Sequence, residues 1–241
     1  MERAGQRIGA YLFDLDGVLT PTAELHRRAW AATIGAFFER KGVAEPYCED
    51  DYFRYIDGKP RFEGVVSVLE SRGLSLPLGS IGDPPGIGSI GALGNQKNAA
   101  FACILAREPI APYPGTEAVL DGLAAAGMRL AVVSSSKNAV PVLEAAGLAD
   151  RFELVVDGVL AARERLIGKP SPETYCYAAD QLGFEPAQAA VVEDALSGVE
   201  AARAGGFGWV VGIDRGVGAA ALRAAGADCV LANLPDLLES F

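Results

Sequence analysis

Four short polar clusters stand at strand-like or helix-like junctions of this sequence. Asp14-Leu15-Asp16-Gly17 follows the apolar run Ala10-Tyr11-Leu12-Phe13, and Ser134-Ser135-Ser136-Lys137-Asn138 follows a second apolar run at 129–133. Glu193-Asp194 follows Val191-Val192, and Gly168-Lys169-Pro170-Ser171-Pro172 lies just ahead of a helical pattern. Their chemistry is complementary. Grouped carboxylates repel one another unless a hard cation lies between them, and an oxygen-only donor set suits magnesium. One carboxylate can attack a phosphoryl group, and a second, two residues along, can take and return a proton. A hydroxyl and a lysine can hold the phosphoryl oxygens as charge develops on them.

Singly, each cluster also has a plainer reading. Asp-x-Asp is common turn chemistry. Glu193-Asp194, or the serines from Ser134, could cap the helix that follows, and Gly168-Lys169-Pro170 could be a surface turn. The chemical reading draws on all four together, because ligands of open parallel sheets bind beyond the carboxyl ends of the strands.

The elements that would position these clusters alternate. Strand candidates are 10–13, 129–133, 152–156, 189–192, 208–211 and 229–231. Between the later ones lie alanine-rich helical stretches at 116–126, 139–146, 172–182 and 196–204. Such alternation implies a parallel sheet covered on both faces. Residues 22–107 lack strand signals. A helix is expected at 22–40, where Leu25, Ala29, Ile34, Phe37 and Phe38 form an apolar stripe. Residues 45–72 read as helical in pieces, 74–94 as a long Gly- and Pro-rich loop, and 95–107 as helix again. The expected architecture is an α/β parallel-sheet core, residues 1–21 and 108–241, interrupted after its first strand by a helical insert, residues 22–107.

Composition narrows the classes. The 241 residues carry a net charge of −10, which argues against a nucleic-acid surface, since phosphate backbones need a basic face. No apolar run approaches the roughly 20 residues needed to span a bilayer, and residues 1–7 lack the pattern of a signal peptide. A cytoplasmic protein acting on a small phosphate ester is expected, with no membrane or nucleic-acid partner, as a monomer or weak homo-oligomer. Cys48, Cys103, Cys176 and Cys229 show no metal-ligand spacing and are expected as buried free thiols.

Together these motifs resemble the haloacid dehalogenase-like superfamily. Phe13-Asp14-Leu15-Asp16-Gly17-Val18-Leu19-Thr20 is similar to its first motif, Val133-Ser134 to its second and Lys169-Pro170 to its third. Val192-Glu193-Asp194-Ala195-Leu196-Ser197-Gly198 is similar to its fourth. The resemblance implies a Rossmann-like core with a helical cap. It also implies Asp14 as nucleophile and metal ligand, Asp16 as general acid/base and metal ligand, and Ser134 and Lys169 as phosphate partners. Glu193 and Asp194 would complete a Mg2+ site. Within the superfamily, the insert resembles the cap of the β-phosphoglucomutase subgroup. Residues 22–30, with His26 and Trp30, are similar to the first cap helix, and Gly58-Lys59-Pro60-Arg61 to a loop whose arginine grips the far phosphate. Lys97-Asn98 is similar to a second cap pair, and Ser136-Lys137-Asn138 to a core loop holding the second phosphate. This implies a mutase interconverting β-glucose 1-phosphate and glucose 6-phosphate, with a sugar-phosphate phosphatase as the alternative. His26, the single histidine, would engage the acid/base on closure, and Trp30 could lie under the sugar, although an aromatic on a helix is more often core. Pro21 departs from the acidic residue common at its position, which leaves any hinge or substrate role there open.

Two other patterns are decoys. Gly86-Ile87-Gly88-Ser89-Ile90-Gly91 matches a dinucleotide-binding spacing but follows Pro84-Pro85 where a strand would be needed. Gly168-Lys169-Pro170-Ser171 lacks the earlier glycine of a P-loop.

Overall fold

The structure, a computed structural model, describes residues 2–3 and 6–238. The chain forms two compact units. One comprises the residues up to Pro21 together with those from Ile110 onward, and the other is Thr22–Pro109.

The first unit opens with a short antiparallel pair, β1 (Glu2–Arg3) and β2 (Gln6–Arg7), which the sequence did not signal. The strand β3 (Ala10–Phe13) follows. After the second unit come α5 (Thr116–Ala125), β4 (Arg129–Val133), α6 (Ala139–Ala145), β5 (Leu154–Val156) and α7 (Gly158–Glu164). The chain continues through α8 (Glu173–Gln181), β6 (Ala189–Glu193), α9 (Leu196–Ala204), β7 (Trp209–Ile213), α10 (Ala219–Ala225) and β8 (Cys229–Leu231). The six strands from β3 onward form one parallel sheet in the order β5-β4-β3-β6-β7-β8.

That order makes β3 central. The chain steps outward from β3 to β5, then returns to β3's other side and steps outward again to β8. The reversal between β3 and β6 opens a crevice beyond their carboxyl ends. Each residue of β3 is buried, and its alternation serves two faces. Ala10 and Leu12 pack with Tyr175, Ala178, Val199 and Leu222 from the helices on one side. Tyr11 and Phe13 point the other way, where Tyr11 meets Trp209 edge-on and Phe13 meets Phe152. Each such side chain removed from water contributes about 1.5–3 kcal/mol, so the strand carrying Asp14 is held from both faces.

The second unit is helical: α1 (Thr22–Lys41), α2 (Glu49–Asp51) running into a π-helical turn at Tyr52–Ile56, α3 (Arg61–Glu70) and α4 (Ile90–Leu105). The expected stripe of α1 is buried, and Trp30, Ile34, Phe37 and Phe38 form a core with Tyr52, Val65, Val68 and Leu93. The broken stretch between α1 and α4 is tied by a buried bidentate pair, Arg72 Nη2 donating to Asp51 at 2.8 and 2.9 Å. No helix among the described residues is long and apolar enough to cross a membrane.

The structure corrects two expectations here. Helix α4 begins at Ile90, inside the segment read as loop. Ser89 caps it by accepting from the Ala92 amide at 3.0 Å, and the Ile90 and Gly91 amides donate to the Pro77 and Leu78 carbonyls. Gly91 is there for space: a Cβ would lie 2.1 Å from the Ser80 carbonyl oxygen. The glycines therefore let a loop lie on a helix start, and the Gly-x-Gly spacing follows no strand. The cysteines are free, but Cys48 and Cys103 are exposed and the other two only half-buried. Cys48 precedes the short α2, and Cys103 lies on an outward position of α4.

Candidate active site

Asp14 extends β3 by one residue, its amide donating to the Val192 carbonyl at 2.9 Å. The carboxylate thus stands at the reversal point between β3 and β6. The chain then turns tightly, with the Leu19 and Thr20 amides both donating to the Leu15 carbonyl and the Gly17 amide to the Thr20 carbonyl. Gly17 sits at φ 93°, and a Cβ there would fall 1.8 Å from Asp194 Oδ2. Backbone conformation and the Asp194 side chain both require glycine. The same close approach places Asp194, at the exit of β6, against the turn that carries Asp16.

Lys169 reaches into this edge from the segment before α8. It is 1% exposed, and its three N–H donors are fully used. Nζ donates to Asp14 Oδ1 at 2.5 Å, to Glu193 Oε1 at 2.5 Å and to the Val133 carbonyl at 2.9 Å. The ammonium also lies 4.9 Å from the centroid of the Tyr175 ring. The two carboxylates hold Lys169 well above its ordinary value against the opposing effect of burial. Burial is the main influence raising the Asp14 carboxyl; Lys169 pulls it back down, and Glu193 and Asp16 push it up again. Asp14 Oδ2 has no partner among the described residues, and Asp14 keeps 8% of its surface exposed.

Glu193 differs from what its motif suggested. It is wholly buried, and both of its oxygens are occupied. Oε1 accepts from Lys169 and from the Tyr175 hydroxyl at 2.9 Å, while Oε2 accepts from the Asp194 and Ala195 amides at 3.0 Å each. The carboxylate folds back over the start of α9, where a Cβ on Gly198 would lie 1.8 Å from Oε1. Four donors occupy its two oxygens, so Glu193 anchors Lys169 here. Tyr175, fully buried, reads in the sequence as an ordinary core aromatic of α8; its offset of six from Lys169 was the available signal.

Ser134 follows β4, its amide donating to the Val156 carbonyl at 2.9 Å. Its hydroxyl accepts from the Ser136 amide at 3.1 Å and makes a long 3.5 Å contact with Asp16 Oδ2. Ser136, Lys137 and Asn138 continue the loop half-buried, with the Ser136 hydroxyl accepting from the Asn138 amide. The sheet edge therefore brings together Asp14, Asp16, Ser134, Lys169, Glu193 and Asp194. Among the described residues no three His, Cys, Asp or Glu side chains already converge as a metal cage. By donor chemistry Asp14, Asp16 and Asp194 fit Mg2+, which takes few protein oxygens and keeps several waters. The carboxylate charge that burial leaves poorly compensated at Asp14 fits a cation as well.

The candidates of the helical unit form their own constellation. His26 stacks on Phe101 with centroids 4.0 Å apart, and its Nδ1 meets the Lys97 ammonium. Lys97 is 4% exposed and lies 5.2 Å from the rings of Trp30 and Phe101. Trp30 is a core residue at 4% exposure, its face covered by that ammonium, which removes it as a sugar platform. Arg61, at the start of α3, donates to Asn95 Oδ1 at 3.0 Å and stacks on Phe62. Burial lowers its affinity for a proton, and no carboxylate among the described residues compensates.

Comparison with known proteins gives the family. The chain is 45% identical to a β-phosphoglucomutase of Mycobacterium tuberculosis, over 97% of this chain and 92% of the relative. It is 27% identical to the fructose-1-phosphate phosphatase YqaB of Escherichia coli, over 84% of this chain and 95% of that one. The crystal structure of CbbY from Rhodobacter sphaeroides with xylulose-(1,5)bisphosphate superposes with a TM-score of 0.72 at 28% identity, covering 95% and 96% of the two chains. The profile of the haloacid dehalogenase-like hydrolases matches residues 8–206. The chain belongs to the haloacid dehalogenase-like hydrolase family of enzymes.

Proposed function

We propose that the protein is a phosphosugar mutase that interconverts β-glucose 1-phosphate and glucose 6-phosphate through an aspartyl-phosphate on Asp14. The observation that carries this reading is the asymmetry of the Asp14 carboxylate: Oδ1 is held by Lys169, and Oδ2 has no partner among the described residues at the sheet's reversal point.

Asp14, primed as the aspartyl-phosphate, gives its phosphoryl group to one sugar hydroxyl while Asp16 removes that hydroxyl's proton, and a bisphosphate forms. The bisphosphate turns over, Asp14 Oδ2 attacks its other phosphorus, the bond from that phosphorus to the sugar oxygen breaks, and Asp16 returns the proton to that oxygen. Ser134 holds a phosphoryl oxygen, and Lys169, its three donors taken, fixes Asp14 Oδ1 and offsets the charge that develops beside it. Mg2+ held by Asp14, Asp16 and Asp194 would offset charge on the transferring group. Arg61 is the helical unit's candidate for the second phosphate, and a half-buried guanidinium that no carboxylate among the described residues compensates suits that task. Ser136, Lys137 and Asn138 are the sheet unit's candidates for phosphate contact. His26 and Lys97 are the insert's remaining candidates for substrate engagement.

The mutase reading over simple hydrolysis is supported by the 45% identity to a mutase across 97% of the chain, insert included. Similarity to a sugar-phosphate phosphatase keeps hydrolysis as the second reading. The two separate in one assay with β-glucose 1-phosphate, Mg2+ and a catalytic amount of β-glucose 1,6-bisphosphate. The mutase reading predicts glucose 6-phosphate in large excess over free phosphate. Phosphate matching substrate loss would make the protein a phosphatase.

A further inference from the structure

Arg215 lies just beyond β7, at the same sheet edge as Asp14, and its half-buried guanidinium is turned onto the protein. Nε donates to the Gly17 carbonyl at 2.8 Å, Nη1 donates to the Ala232 carbonyl at 3.3 Å, and Cζ lies 4.0 Å above the centroid of the Tyr113 ring. Nη2 is buried without a hydrogen-bond partner, and among the described residues no carboxylate pairs with this arginine. In a chain with 31 acidic residues, an arginine spent on two carbonyls and an aromatic face is not serving as a surface ion.

Its two main contacts fall on the two chain crossings. Gly17 belongs to the turn through which the chain leaves β3 for the helical unit, and Tyr113 to the segment by which it returns. These crossings are already laced, since the Tyr113 amide donates to the Leu19 carbonyl at 2.9 Å and Thr116 Oγ1 to the same oxygen at 3.4 Å. The outgoing turn also holds Asp16 and packs against Asp194, so displacement at a crossing would pass into the reacting carboxylates unless the turn is pinned to the sheet.

We propose that Arg215 is a positioning residue that pins this turn, joining the Gly17 carbonyl to the Tyr113 ring from a base on β7. A planar guanidinium can lie flat on a ring while donating in its own plane. A lysine ammonium has no such plane to lay on the ring while reaching both the Gly17 and Ala232 carbonyls.

Arg215→Ala tests this by amide exchange and kinetics on the full chain. The Gly17, Thr20 and Tyr113 amides should exchange at least about tenfold faster, with β6 amides unchanged. The kcat for p-nitrophenyl phosphate should fall about tenfold to a hundredfold through misplacement, with KM little altered. Added guanidinium should recover part of the loss, and Arg215→Lys should recover none of it. The kcat arm rests on Asp14 as nucleophile. Asp14→Asn in the same assay exposes a failure of that reading separately, and the exchange arm stands without it. Unchanged exchange and kcat in Arg215→Ala would overturn the assignment, and so would wild-type behaviour of Arg215→Lys. Should the alanine variant not fold, Arg215→Lys carries both readouts, with faster exchange expected.

Discussion

Lys169 and Glu193 form an ion pair 2.5 Å long in which each side chain is 1% exposed. Charges so deeply buried must be paired and hydrogen-bonded to be tolerated, and removing one partner strands the other. Lys169→Ala is therefore expected to lower unfolding free energy by about 3–5 kcal/mol in urea titrations and to abolish turnover. A variant within about 1 kcal/mol of wild type would show that the pair does not organise this edge.

Tyr175 separates two contributions to that network. Tyr175→Phe deletes the hydroxyl bond to Glu193 but keeps the ring beneath Lys169. A loss of about 1.5–3 kcal/mol is expected, the worth of a hydrogen bond to a charged group, with turnover retained. Tyr175→Ala removes the ring as well and should lose about 3–5 kcal/mol through the cavity. Equal losses in the two variants would contradict the division.

Gly198 gives a test whose sign opposes helix propensity. At an ordinary helix position Gly→Ala gains up to about 1 kcal/mol. Here the new Cβ would meet Glu193 Oε1 at 1.8 Å, and that carboxylate is fixed by four donors. Gly198→Ala is expected to lose about 1–3 kcal/mol through overpacking, read by thermal or urea unfolding. Stabilisation would mean that the Glu193 anchor yields freely.

Arg61 bears on the choice of substrate. Arg61→Ala should cut kcat/KM for β-glucose 1-phosphate by at least about a hundredfold, as expected for a charge-assisted phosphate clamp, while hardly changing hydrolysis of p-nitrophenyl phosphate. Equal losses on both substrates would rule out a second-phosphate contact.

The sequence made the sheet and the polar residues at its edge legible because both depend on local pattern. Short apolar runs ending in Asp14, Ser134 and Glu193 give strand, exit and side-chain type at once. What it hid depends on orientation and on distant packing. Glu193 and Asp194 look alike as ligands, yet one folds back under α9 and is saturated by donors. Tyr175 reads as an ordinary core aromatic, yet its hydroxyl meets a buried carboxylate, while the Trp30 indole lies 5.2 Å from the Lys97 ammonium, a contact no local spacing announces. The start of α4 was concealed by Gly91, which serves close approach to the Ser80 carbonyl and so imitates a loop composition. Arg215 and Tyr113 are about a hundred residues apart, and no local spacing announces their contact.

The central claim is that Asp14 carries the phosphoryl group. Rapid acid quenching after mixing the protein with Mg2+ and 32P-labelled β-glucose 1,6-bisphosphate should trap label on the peptide containing Asp14, released by hydroxylamine and missing from Asp14→Asn. Turnover without any label on that peptide, or label retained in Asp14→Asn, would contradict it.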